Sequence, residues 1–360
     1  MKSFTTRGSV RVDFLGGTLD LFPLFHLLQD TVTINAALTL QAEVTLSSLD
    51  AHKKGIEIIS QDYNKIMFYP SADFHSENFY EQGLLSPFYF KEFFFVALLL
   101  RSFHVTEGLS ITLSSGAPPG SGLGGSSAMG IALYKALCNW TGKKYVPQEA
   151  VTFVQEREAA ILQAGVAGHQ DYYPAVFGGI LSLTPSLLQP FSVTQHHTLQ
   201  LSEELEQKMS LIYSGQSRFS GINNWEVYKK FFDRDDHILR GMKKLAYLAK
   251  EGLGFLKEGD IDSFLGTIVQ DGHLREHLFE HFVTKEMKIL DQELRDHALL
   301  KEGYRGLKVC GAGGGGCFLL IGEFQSSDLE KSELEKILLK HNMKKLEFRI
   351  LPPSINIEEE

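Results

Sequence analysis

One segment restricts the fold more than any other. Residues 116–129 read Gly-Ala-Pro-Pro-Gly-Ser-Gly-Leu-Gly-Gly-Ser-Ser-Ala-Met. They lie between a strand-like run, Leu109–Ser114, and a helix-like run, Ser126–Trp140. Two prolines stiffen the entry, and the glycines between Pro119 and Ser126 let backbone N–H groups approach a ligand closely. Ser126 and Ser127 then open the helix. A helix N-terminus carries unpaired donors and the positive end of the macrodipole, so phosphate is its natural ligand. Two familiar phosphate loops are excluded. No Lys follows the last glycine, as a Walker A loop requires. Pro118-Pro119 interrupts a dinucleotide fingerprint, and Asn139-Trp140-Thr141 stands about 20 residues on, where an acidic ribose ligand belongs. The plain alternative is a structural helix cap after a floppy loop.

Two further glycine clusters flank this one. Arg11-Val12-Asp13-Phe14-Leu15-Gly16-Gly17-Thr18-Leu19-Asp20 reads as a strand running into a turn, with Asp20 on the loop or capping it. Cys310-Gly311-Ala312-Gly313-Gly314-Gly315-Gly316-Cys317 joins two apolar strands, Gly306–Val309 and Cys317–Ile321. Four consecutive glycines are costly in backbone entropy. Backbone lying against a ligand explains them, and so does a long hairpin turn.

The rest of the chain reads as interleaved strands and helices, which gives an α+β class with two domains. Strands are predicted at Ser9–Leu15, Thr31–Ser47, Ile56–Ile59, Lys65–Tyr69, Leu211–Tyr213 and Leu346–Leu351. Helices are predicted at Tyr89–His104, Gln148–Ala164 and Ser327–His341, with long helical patterns over Asn224–Glu258 and Ile261–His297. Leu181–Ser202, with two prolines and a polar run, reads as the weak boundary. His273, His277 and His281 fall at i, i+4, i+8 and would share one helix face, solvated or lining a cleft rather than binding zinc.

Composition excludes several classes. The net charge is −9, which argues against non-specific nucleic-acid binding. Three scattered cysteines are no disulfide framework, and free buried thiols in a reducing compartment are the expectation. Residues 1–9 lack an apolar signal-peptide core, and the run Phe93–Leu100 is eight residues long where a membrane span needs about 20. A cytoplasmic protein without membrane partners is expected. The apolar run is expected to be a buried helix, in the core or at an interface.

The three clusters, in this order, resemble the GHMP kinases, named for galactokinase, homoserine kinase, mevalonate kinase and phosphomevalonate kinase. PPGSGLGGSSA is similar to that family's ATP loop, P-x-x-x-G-L-x-S-S-A, and KVCGAGGGGCFLL to its C-terminal glycine motif. The resemblance covers residues 7–320. TINAAL (33–38), GHQDYYPAVFGG (168–179), YSGQSRFS (213–220) and GAGGGG (311–316) are similar to the branch of D-glycero-D-manno-heptose 7-phosphate kinases and fucokinase-like sugar 1-kinases. That branch typically reads G-G-K-Q-D-Q-Y where this chain has Ala167 to Tyr173, so His169 replaces Lys. It typically reads G-G-G-T-D-L-P-P-Y where this chain has Gly16 to Leu24, so Phe22 and Leu24 also depart.

The resemblance implies an N-terminal domain like the second domain of ribosomal protein S5 (residues 1–190, binding ATP). It also implies a ferredoxin-like C-terminal domain (residues 191–360), with the substrate between them. It implies ATP and Mg²⁺ as cofactors. ATP phosphates would be held by Pro119, Gly120, Ser121, Gly122, Leu123, Gly124, Gly125, Ser126 and Ser127. Mg²⁺ would be held by Ser127 and Glu158, with Glu156 as the alternative. Asp171 would act as catalytic base or orienter and Arg11 as electrostatic stabiliser. The acceptor would meet Asp20, Gly17, Thr18, His169, Arg218, Gly313 and Gly314. The implied reaction is phosphorylation of a sugar or sugar phosphate at its anomeric hydroxyl, by a monomer or homodimer. Another sugar, polyol or mevalonate-like alcohol is the enzymatic alternative. A non-catalytic nucleotide and sugar sensor is the alternative of another class.

Overall fold

The computed structural model describes all residues except 1, 51, 76–88, 162–166, 188–189, 218–223, 325, 356 and 358–360. Its strands are β1 (Ser3–Leu15), β2 (Thr33–Ser48), β3 (Gly55–Ser60), β4 (Lys65–Pro70), β5 (Leu109–Ser115), β6 (Ile180–Pro185), β7 (Phe191–Gln195), β8 (Met209–Tyr213), β9 (Tyr304–Val309), β10 (Cys317–Gly322) and β11 (Lys344–Leu346). Its α-helices are α1 (Leu24–Leu27), α2 (Phe94–Ser102), α3 (Gly125–Thr141), α4 (Pro147–Ile161), α5 (Tyr172–Phe177), α6 (Leu199–Gln207), α7 (Asn224–Phe232), α8 (Asp236–Glu258), α9 (Ile261–Leu278), α10 (Lys285–Asp296) and α11 (Asp328–Lys340).

Two compact units divide the chain. The first comprises Met1–Val10, Leu40–Pro119 and Gly125–Val176; the second comprises Arg11–Thr39, Gly120–Gly124 and Phe177–Glu360. The boundary read from sequence, 190/191, falls on the β6–β7 connection inside the second unit.

In the first unit the C-terminal half of β2 pairs antiparallel with β5, from Ala42 opposite Ser115 to Ser48 opposite Leu109. β5 runs parallel to β3, and β4 closes the edge antiparallel to β3. Beyond residue 42 of β2, buried Val44 and Leu46 alternate with part-exposed residues, as a sheet with one covered face requires. Helices α2, α3 and α4 pack on one another. Gly130 allows their close crossing, since a Cβ there would lie 2.6 Å from Val154 and 2.7 Å from the Phe95 ring. The apolar run Phe93–Leu100 is therefore core: Ala97, Leu99 and Leu100 are fully buried in α2.

In the second unit the N-terminal half of β2 pairs with β6, and β6 forms an antiparallel hairpin with β7. Within Leu181–Ser202, read from sequence as the weak boundary, residues 181–185 and 191–195 are sheet and residues 199–202 open α6. The second sheet, in the order β11-β8-β10-β9, is antiparallel throughout. The helix pair α8 and α9 packs closely, and α9 lies against β9. A Cβ on Gly272 would meet the Leu307 carbonyl at 2.6 Å.

Three expectations are corrected here. Asn224–Glu258 is two helices, because Arg234 turns left-handed (φ +59°) and Asp235 caps α8 through the Ile238 N–H. Ile261–His297 is likewise two. α9 ends at Leu278 and His281 sits in the connection at φ +60°, so it does not share a helix face with His273 and His277. The last strand is β11, Lys344–Leu346; residues 347–351 leave that sheet, and Ile350 bridges Leu38 instead.

Candidate functional site

In the first unit the site forms where β5 ends and α3 begins. Ser127, 3% exposed in the first turn of α3, donates its hydroxyl to Glu158 Oε2 at 2.7 Å. The Tyr172 hydroxyl, from the start of α5, donates to the same oxygen at 2.6 Å. Ser126 also hydrogen-bonds the Glu158 carboxylate. Burial pushes the Glu158 carboxyl up, and the negative charge of neighbouring Asp171 pushes the same way, while the three hydroxyls favour its charged form. Glu156, the alternative, is exposed and pairs with Arg157. The donors are a carboxylate and a hydroxyl, both oxygen, at the end of a glycine loop. That set suits Mg²⁺, which takes one or two protein oxygens and completes its shell with phosphate and water. Asp171 is part-exposed in the turn before α5, and buried His169 accepts the Tyr172 N–H through its carbonyl at 3.2 Å.

In the second unit Gly120, Gly122 and Gly124 take left-handed φ values of +68°, +75° and +75°, alternating with Ser121 and Leu123, which do not. Left-handed glycines at every second position are the pattern of an anion nest, in which successive N–H groups turn toward one side. Three successive carbonyls are already held. Ser121 O accepts the Cys317 N–H at 2.6 Å, Leu123 O the Arg11 N–H at 2.9 Å and Gly122 O the Arg11 Nη1 at 2.8 Å. Arg11, 2% exposed, therefore braces the second glycine loop as well as carrying charge.

The first glycine turn is equally bound. Gly16 (φ +74°) leaves no room for a Cβ, which would lie 1.9 Å from the Val32 carbonyl. Asp20 is 1% exposed, while Thr18 is part-exposed. The third cluster is glycine-rich for reasons within the protein. A Cβ on Gly313 would collide with the Phe282 ring at 2.4 Å, and Gly314 donates its N–H to the Phe282 carbonyl at 2.9 Å. Flanking Cys310 and Cys317 are free and buried, and burial pushes both thiols up, Cys310 to about 12. Arg218 lies outside the described residues.

Sequence reading missed a buried charge network in the second unit. Arg275 donates through Nε to Asp271 Oδ1 at 2.7 Å and through Nη2 to the Gly17 carbonyl at 2.6 Å. Lys308 pairs with Asp271 at 2.9 Å and with Asp13 at 3.4 Å. All four side chains are 0–1% exposed. Burial works against the Asp271 carboxylate, but Arg275 and Lys308 outweigh it and hold it below the usual range. The signals were present in the i, i+4 spacing of Asp271 and Arg275, and in a lysine interrupting the apolar strand Tyr304–Val309. Tyr172 gave no signal beyond standing next to Asp171.

Comparison with known proteins fits this architecture. Residues 89–179 match the model of the GHMP kinases N terminal domain. The chain is 27% identical over 355 residues to the bifunctional fucokinase/GDP-fucose pyrophosphorylase of Arabidopsis thaliana, covering 92% of this chain and 31% of that protein. The chain thus spans about a third of that relative's length. It is 28% identical over 279 residues to D-glycero-alpha-D-manno-heptose 7-phosphate kinase of Campylobacter jejuni, covering 74% of this chain and 76% of that one. In fold it matches the mevalonate kinase of Methanococcus jannaschii with a TM-score of 0.73 at 18% identity, over 98% and 99% of the two chains. Among the described residues no helix is long and apolar enough to cross a membrane.

Proposed function

We propose that the chain is a GHMP kinase, an ATP-dependent kinase of a small-molecule alcohol, and that its acceptor is a sugar. The receiving group in this reading is the anomeric hydroxyl of a heptose or heptose 7-phosphate. The observation that carries the kinase chemistry is the convergence of Ser127, Ser126 and Tyr172 on the Glu158 carboxylate, where α3 leaves the glycine loop. The choice of a sugar rests on the relatives, a fucokinase and a heptose 7-phosphate kinase.

In this reading the loop N–H groups of Gly120 to Ser127 hold the ATP phosphates. Ser127 and Glu158 would hold Mg²⁺, which when bound neutralises charge on the phosphates. Asp171 accepts or orients the acceptor hydroxyl's proton. The hydroxyl oxygen bonds to the γ-phosphorus as the bond to the β–γ bridging oxygen breaks, leaving ADP. Arg11, held by the loop carbonyls, supplies the stabilising positive charge in this reading. Asp171→Ala should lower turnover at least about a hundredfold at an unchanged melting temperature. Wild-type turnover in that variant would remove the role.

A second acceptor class is favoured by one observation. Phe22 is 63% exposed beside the first glycine turn, where the sugar kinases it resembles read Pro. An apolar ring there suits a less polar alcohol, such as mevalonate. A coupled ADP-release assay over heptoses, heptose 7-phosphate, fucose and mevalonate separates the two, and activity confined to mevalonate sinks the sugar reading. Tight binding of ATP and sugar with no ADP release would point to the sensor.

A further inference from the structure

Two polar groups of the first unit are left incomplete beside each other. Lys135, part-buried on α3, donates through Nζ to the Ala175 carbonyl of α5 at 3.3 Å and stands 5.6 Å from the centroid of the Tyr145 ring. Among the described residues no carboxylate pairs with it, and burial lowers its ammonium from 10.5 to about 8. Tyr145 has the complementary defect. Its hydroxyl oxygen is buried and has no hydrogen-bond partner, which is costly for a group with both a proton to give and lone pairs to fill. The lysine is thus a buried charge without an anion, and the tyrosine a buried donor without an acceptor.

We infer that Lys135 is an acylation site, which takes a small acyl group from an activated donor, an acyl phosphate or a thioester. The count of donors and acceptors carries the inference. An amide keeps one N–H on Nζ for the Ala175 carbonyl, and its new carbonyl oxygen is the acceptor that the Tyr145 hydroxyl lacks. The product is neutral, as burial favours. In the reaction the free amine's lone pair attacks the acyl carbon. The bond from that carbon to phosphate oxygen or thioester sulfur breaks, and the amine proton passes to water. Carbon dioxide is a poorer match, because a carbamate would replace one buried charge with another. Cys138, three residues along α3, does not compete: it is 1% exposed, and burial pushes its thiol up. Tyr134, Lys143 and Glu149, the other titratable groups around Cys138, make no ion pair with Lys135. The inference stands apart from the kinase reading, although Ala175 lies on the same short helix as Tyr172, the donor to Glu158.

The test uses the full chain. Acetyl phosphate and acetyl-coenzyme A are offered in separate arms at pH 8, and acetylation is followed lysine by lysine by peptide mass spectrometry. Lys135 should react about tenfold faster than the exposed Lys54 and Lys144. Its lowered ammonium gives about a hundredfold more free amine than an ordinary lysine at that pH, and its weaker basicity takes back about tenfold. Faster reaction in either arm supports the inference and names the donor class, and slower reaction than Lys54 and Lys144 in both overturns it. Nε-acetyl-lysine incorporated at position 135 then tests the surroundings. It should raise the melting temperature at pH 7 by about 2–4 °C, since it removes a buried charge and gives Tyr145 an acceptor. Tyr145→Phe, which loses only an unpartnered hydroxyl, should by itself melt no lower than wild type, and should remove at least about half of the gain from acetylation. An acetyl group that does not raise the melting temperature, or a gain undiminished in Tyr145→Phe, overturns the inference.

Discussion

Replacing Gly316 by Ala tests whether the third glycine loop sets the geometry of the second, the proposed phosphate loop. Gly316 takes φ +74°, which costs an alanine about 1–2 kcal/mol. The new methyl would stand 2.5 Å from the Ser121 carbonyl oxygen and 3.0 Å from the Gly120 one. Ordinary contact begins near 3.4 Å, so the backbones must part by about 0.9 Å, an overpacking of about 1–3 kcal/mol. Gly316 cannot yield easily. Its N–H is bound to Gln216 O at 3.0 Å and its carbonyl to Ser214 N–H at 3.0 Å. Ser121 must move instead, breaking its 2.6 Å bond from the Cys317 N–H and disturbing the nest. The expected outcome is about 2–5 kcal/mol of lost stability in urea unfolding and an ATP KM raised at least about tenfold, with the acceptor KM nearly unchanged. Gly254→Ala is the control. Nothing lies within 4 Å of its Cβ, and in mid-helix it should stabilise by about 0.5–1 kcal/mol. Wild-type ATP affinity and stability in Gly316→Ala would refute the coupling of the two loops.

Three further perturbations address other parts of the molecule. Lys308→Met leaves Asp13 and Asp271 buried with Arg275 as the nearest cation. It should cost about 3–5 kcal/mol in chemical denaturation, and a loss below about 1 kcal/mol would mean the network is solvated. Tyr172→Phe removes a donor from Glu158 Oε2 and should weaken Mn²⁺ binding, followed by electron paramagnetic resonance, roughly tenfold. Equal Mn²⁺ affinity would detach Tyr172 from the metal site. Burial depresses His196 from 6.5 to about 4 beside the Ser182 hydroxyl, so the folded protein binds fewer protons there than the unfolded one between those values. Its contribution is complete above pH 6.5 and is lost as pH falls toward 4. His196→Gln should therefore show a shallower acid-side fall in melting temperature than wild type, and parallel curves would contradict the assignment.

What could be read in advance follows a physical line. The second glycine loop was legible as a turn into a helix because its requirements are local: Gly120, Gly122 and Gly124 need left-handed backbone, and Ser127 must open a helix. Strand β2 was legible from its alternation, and the buried helix α2 from an apolar run closed by charges. Long-range partners were not. Nothing near Gly313 announces Phe282, yet that ring, rather than a ligand, excludes a side chain there. Helical periodicity ran through Arg234 and His281 because a single left-handed residue leaves the pattern on either side intact. The Arg275 hydrogen bonds escaped notice because their partners at Gly17 and Thr18 stand more than 250 positions earlier in the chain.

That separation has a consequence for how the protein is made. Asp13 and Lys308 are 295 residues apart, so the strand bearing Asp13 leaves the ribosome well before Lys308 is made. At about 5–20 residues per second, Asp13 waits roughly 15–60 s before its lysine exists. Throughout that interval strand β1 carries a carboxylate destined for the interior without the lysine that pairs with it. The second unit therefore closes late in synthesis, and the nascent chain, rather than the finished protein, is the form most in need of protection.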